Sequence, residues 1–190
     1  MKKNLNIQEL VAALKNESAK KYDVIIKASR FFFSSGSLMI TGLKELPLND
    51  VLKEANIKLP ESPSGLDLSG FNTTDIFDDQ ISEKLQIPRA YFRRMMEEKN
   101  LDLLDHNVNH WLEENPEQKF LIRTFIDESN PDNNIARALL SDSFKMIDNF
   151  DILITALEAV KSSGVDLQIE SCDLTDKKMY VRFICGDPSA

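Results

Sequence analysis

Residues 135–151 read Ile-Ala-Arg-Ala-Leu-Leu-Ser-Asp-Ser-Phe-Lys-Met-Ile-Asp-Asn-Phe-Asp, and no other run constrains the fold as tightly. Its first half is an apolar run of strand length. Ser141-Asp142-Ser143 then breaks the run with turn-forming residues. Asp148 is placed as a helix N-cap, Asp151 at N3 complements the helix dipole, and Ile147 and Ile152 occupy the staple positions. A strand, a polar corner and a helix start in so short a span call for a sheet with helices packed on it.

The flanking residues extend that reading. Phe120–Ile126 is a second strand, and the turn-rich 127–134 returns the chain into Ile135, forming a hairpin. Leu153, Ala156, Leu157 and Val160 give the helix a buried stripe, and Gly164 closes it. Strands follow over 167–174 and 179–185, turning near Asp176-Lys177. Cys172 and Cys185 fall in these strands but not opposite one another, so both are expected as small buried thiols without a disulfide.

Further upstream, Leu5, Leu10, Val11 and Leu14 recur at helical spacing over 5–20. Strands are expected over 22–28 and 37–41, on either side of Phe31-Phe32-Phe33. Three successive phenylalanines fit either a core or a base-stacking platform. Prolines and glycines interrupt 43–70, leaving one short helical piece around Asp50–Lys53. From Thr73 or Thr74 a helix starts with Phe77, Ile81 and Leu85 inward, and Pro88 opens a second helix burying Phe92, Met95 and Met96. A third, Leu101–Glu114, points Leu104, Val108, Trp111 and Leu112 inward and stops before Pro116.

These elements predict an α+β fold, a mainly antiparallel sheet built from hairpins, packed against helices, with a helical segment in mid-chain. At 190 residues it reads as one domain, with an N-terminal subregion 1–70, a helical segment 71–116 and a sheet–helix–sheet unit 117–186.

Thirty-one acidic against 23 basic residues give a net charge of −8, a field that repels polyanions at long range. Binding nucleic acid would therefore need a local cationic patch. Two arrangements offer one. Residues 80–95 are laid out like a helix-turn-helix, with Arg89, Arg93 and Arg94 as outward cations of the second helix, although Gln86 stands where the turn favours glycine. Arg123, Arg137 and Arg182 each lie in an apolar strand and would form a phosphate-binding face if those strands are neighbours, with Lys145 at the rim. The competing reading pairs each arginine with a local carboxylate.

Other chemistry is thinly represented. Asp142, Asp148 and Asp151 could be drawn together around a metal, but turn and cap roles already account for them. His106 and His110 share a helix face without the glutamate or third ligand of a metalloprotease. No glycine-rich phosphate loop, nucleophile elbow or paired-cysteine zinc motif occurs, so no cofactor, metal or catalytic residue is assigned. No apolar run approaches the ~20 residues that span a bilayer, and a cytoplasmic protein without a membrane partner is expected.

Three segments together resemble a known family: Ile87–Met95, Asn107–Leu112 and Ala136–Asn149, with a similar closing strand over Leu174–Arg182. They resemble the phage/plasmid-like family of unknown function, found in phages, prophages, plasmids and conjugative elements. The resemblance covers about residues 72–185. Members continue into Asn-Ser-Glu and Cys-x-Asn-Gly signatures that this sequence lacks, so the resemblance implies a shortened member or the N-terminal part of a longer architecture. It also implies an accessory role in replication, recombination or defence in a bacterial host cell. Three expectations follow. The first is a non-enzymatic protein whose arginines track a nucleic-acid backbone, single-stranded DNA or RNA included. The second is an acidic module that binds a host or phage protein and can mimic DNA. The third, and weakest, is a metal-dependent nuclease using Asp142 with Asp148.

Overall fold

The computed structural model describes residues 2–43, 68–127, 129–145, 147–165, 167–175 and 178–185. The helical piece expected around Asp50–Lys53 lies outside them. The chain forms an α+β fold in two compact units, 20–144 and 1–19 with 145–190.

The larger unit holds a six-stranded sheet. Its strands are β2 (Lys21–Lys27), β3 (Phe31–Ser34), β4 (Ser37–Thr41), β5 (Leu68–Thr73), β6 (Lys119–Phe125) and β7 (Ile135–Ser141), in spatial order β2-β6-β7-β5-β4-β3. The sheet is mixed: every pair is antiparallel except β5 with β7, which run parallel through Asn72↔Ile135 and Thr73↔Ala136. A helical excursion after β5 delivers β6 running opposite to β5, and the hairpin from β6 into β7 reverses the chain once more, so β7 lies parallel to β5. That excursion comprises α2 (Asp75–Lys84), α3 (Arg89–Glu97) and α4 (Leu101–Glu114).

Thr74 caps α2 by accepting from the Phe77 N–H, as its sequence position predicts. Gln86 takes φ +56°, so the turn after α2 does use the left-handed conformation that glycine favours. Phe77, Ile81, Phe92, Met95, Leu104, Val108 and Leu112 are buried against the sheet. Phe33 stacks on Phe77 at 6.4 Å and meets Phe92 edge-on at 6.1 Å, while Phe31 meets Phe120 edge-on at 5.7 Å. Two of the three consecutive phenylalanines are therefore core, at 3% and 1% exposure, which removes the run as a base-stacking platform. Trp111 was expected inward but is 45% exposed, because Leu104, Val108 and Leu112 already fill the buried stripe of α4.

The smaller unit is discontinuous in sequence. Its three-stranded antiparallel sheet has the order β1-β8-β9, from β1 (Lys2–Leu5), β8 (Leu167–Leu174) and β9 (Met179–Cys185). Helices α1 (Ile7–Lys20) and α5 (Asn149–Ser163) pack on it, joining Leu10, Leu14, Leu153 and Cys172 in a second core. Gly164 ends α5 at φ +69°, and Asp148 occupies its N-cap position. Ile147 and Ile152 remain 69% and 46% exposed, so no buried staple forms. Both cysteines are free thiols, but Cys185 is exposed, contrary to the expectation that it is buried.

Candidate functional site

The helix-pair arginines are disposed by the turn at Gln86, which folds α3 back along α2. Arg89 bonds the Glu83 carboxylate, and Arg93 Nη2 reaches both oxygens of Asp79 at 2.6 and 2.8 Å. Arg94 Nε donates to Glu98 one turn on, at 2.9 Å. All three arginines are exposed on the outer side of α3, where Arg89 and Arg93 pair with acids of α2. Such exposed pairs contribute only about 0–1 kcal/mol of stability each.

The strand arginines follow the alternation of β6 and β7. Phe120, Ile122 and Thr124 face the core, which sends Arg123 and Phe125 to the opposite face. Asp23 lies directly across from Arg123 on β2, and the two form a bidentate pair at 2.8 and 2.9 Å with side chains only 22% and 13% exposed. A break in register between Arg123 and Thr124 leaves Arg137 as the extra residue of β7, and its Cζ sits 5.3 Å from the centroid of the Phe125 ring. Arg123 and Arg137 thus share one sheet face. Arg182 and Lys145 belong to the other unit. Arg182 lies 4.0 Å from Asp173, and Lys145 is exposed. Arg123 is thus engaged by a carboxylate and Arg137 by an aromatic ring, whereas Arg182 stays 64% exposed at the limit of an ion pair with Asp173.

The acids of the helical layer tell the complementary story. Residues 75–114 carry ten carboxylates and five Lys or Arg, a net of −5 out of the chain's −8. Asp105 is spent internally, accepting the Ser35 and Gly36 N–H groups at 2.6 and 3.0 Å. Asp78 is held mostly out of water, its Oδ1 without a hydrogen bond of normal geometry, although the Thr73 hydroxyl faces it. Desolvation, with smaller contributions from Asp75 and Asp79, pushes its carboxyl up to about 6 against the opposing pull of Thr73 and Arg93. Asp75, Glu97, Asp102, Glu113 and Glu114 are exposed and form no ion pair among the described residues. On α4 these acids accompany Leu103, 60% exposed, and Trp111, whose ring meets His110 edge-on at 5.5 Å. The result is an acidic helix surface with exposed apolar side chains.

Among the described residues no three histidine, cysteine or acidic side chains could hold a metal together, Asp142, Asp148 and Asp151 included. No helix of the described residues is long and apolar enough to cross a membrane. The exposed acidic and aromatic face of α4 escaped the sequence reading because Trp111 looks like a core residue at helical spacing. The signal that identifies it is the surplus of apolar positions: four in the stripe, where three suffice. No family model matches this chain, and no curated protein or solved structure matches it either.

Proposed function

We propose that this chain is a non-enzymatic interaction module that presents an acidic, tryptophan-bearing helix face to a basic protein partner. The partner class that suits it is a nucleic-acid-binding protein of a host or mobile element, whose phosphate-reading cations would meet carboxylates instead. The observation that carries the reading is the exposed surface of α4, where Glu114 and Leu103 adjoin Trp111 and Asp102 and Glu113 continue the acidic surface around the helix. Tryptophan is enriched among the residues that dominate binding energy, and surrounding charges set encounter rate and partner choice. The resemblance to mobile-element proteins agrees with an accessory role. The arginine-based nucleic-acid reading is the rival, and it needs guanidinium groups that are now occupied to exchange their partners.

Trp111 is the protein's single tryptophan, so its fluorescence reports on this face directly. Titration with a lysine-rich amphipathic peptide is expected to shift the emission and weaken with salt, while single- and double-stranded oligonucleotides leave it unchanged. Trp111→Ala should weaken peptide binding, measured by calorimetry, by about tenfold or more. Oligonucleotide binding that disappears in an Arg123→Ala, Arg137→Ala variant would replace this reading with the rival. An unresponsive Trp111 would also end it.

A further inference from the structure

The strand edges are not all treated alike, and the larger sheet's β2 edge is marked by charge at Lys21, Asp23 and Lys27. In the larger unit, α4 fills the free side of β3: Asn109 accepts from the Phe33 N–H at 2.7 Å and donates to its carbonyl at 2.9 Å, and Asp105 takes the adjoining turn. Where β5 ends, α2 does the same for β7, with the Thr74 hydroxyl donating to the Arg137 carbonyl and Gln80 accepting from the Leu139 N–H. In the smaller unit β1 is a short edge of four residues with a break in its register. The other edge, β9, has neither device. It runs seven residues, Met-Tyr-Val-Arg-Phe-Ile-Cys, with one charge and no proline. The extra residue in its pairing lies on β8, between Ile169 and Ser171, so β9 itself is regular. No described strand pairs with its outer side. Such an edge is a template for another strand.

We infer that β9 pairs antiparallel with β9 of a second copy of this chain, about a two-fold axis at Val181. The phase of the strand comes from the hairpin end, where the Lys178 carbonyl turns inward to accept from the Thr175 N–H at 2.9 Å. Alternation then turns Tyr180, Arg182 and Ile184 main-chain groups toward β8, and those of Met179, Val181 and Phe183 outward. Centred on Val181, the outward groups match as Met179 with Phe183, Val181 with Val181 and Phe183 with Met179, giving roughly six main-chain hydrogen bonds.

Side chains select this register over its neighbours. Tyr180, Arg182 and Ile184 lie on the exposed face of the sheet. Centring on Val181 sets each Tyr180 opposite the partner's Arg182 in a non-hydrogen-bonded pair, where side chains approach most closely and a cation meets a ring. A shift to Arg182 opposes two guanidinium groups, and a shift to Tyr180 opposes Arg182 with the partner's Lys178. Like charges in direct opposition are destabilising, so both shifts are disfavoured. The pairing uses β8 and β9 alone and stands independently of the α4 proposal.

Sedimentation equilibrium across a wide concentration series tests it. The wild-type chain, under reducing conditions, is expected to show a concentration-dependent monomer–dimer equilibrium. Tyr180→Lys places like charges opposite each other twice across the axis, yet within its own chain position 180 faces Asp173, so the fold is retained. It should weaken association by about tenfold or more. Adding Arg182→Glu to that variant restores opposite charges across the axis and should restore the dimer, with circular dichroism confirming that both variants are folded. A monomer at every concentration, a dimer indifferent to Tyr180→Lys, or a folded double variant that stays monomeric would each overturn the proposal.

Discussion

Asp78 is a residue whose environment works against its charge. Its carboxyl titrates near 6 in the fold and near the ordinary value when unfolded. As pH rises, the unfolded chain releases this proton first, so the contribution to stability falls between about pH 4 and about pH 6 and is absent above that. The shift corresponds to at most about 3 kcal/mol, less with residual solvent access. Asp78→Asn is expected to raise stability at pH 7.5 by about 1–2 kcal/mol and to flatten that part of the profile, as read from urea midpoints across pH. An unchanged profile would place the proton elsewhere. Sequence could name Asp78 as an early helical acid, favourable to the dipole. It could not show that Phe77 and Ile81 would draw that turn of α2 into the protein. The same limit applied to the strand arginines: alternation located their face, but only strand order revealed Asp23 across from Arg123.

Among elements, β3 depends most on groups outside its own sheet. Asn109 replaces a neighbouring strand for Phe33, and Asp105 holds a turn in which Ser35 and Gly36 both have positive φ, at 53° and 73°. Asn109→Ala would strand a donor and an acceptor of the main chain, costing about 2–3 kcal/mol in urea denaturation. Amide exchange at Phe33 should accelerate well beyond the change at Ile122, which sits in mid-sheet. Equal acceleration at both would mean that Asn109 supports the whole unit and not this edge. The main helices, the β6–β7 and β8–β9 hairpins and the Thr74 cap were legible here because periodicity and turn chemistry are local. By contrast, β3 and β5 were not read as strands. The four-residue β1, with Lys-Lys-Asn at its start, offers no apolar alternation, and a pairing of β1 with β8 across most of the chain leaves no local trace. The parallel contact of β5 with β7 was hidden for the same reason.

For the whole molecule, the important fact is that among the described residues the two cores have no member in common. The larger unit is continuous from Lys20 to Phe144, whereas the smaller draws on both sides of it. A fragment of residues 20–144 is therefore expected to fold alone, with a cooperative thermal transition and dispersed amide resonances. A fragment of residues 145–190 is expected to remain unfolded, because it lacks Leu10 and Leu14. Adding a peptide of residues 1–19 in trans should restore structure to it. A folded 145–190 fragment would show that α1 is dispensable to the second core.

That division has a consequence for synthesis on the ribosome. Residues 1–19 leave the exit tunnel before residues 20–144, yet the strand and helix that receive them are translated only after the whole of 20–144. During that interval the nascent chain carries Leu10 and Leu14 without their final neighbours, while the larger unit has everything it needs to complete itself. A segment made before the larger unit thus settles only after it, and slow translation of residues 145–190 would lengthen its exposure to chaperones and proteases.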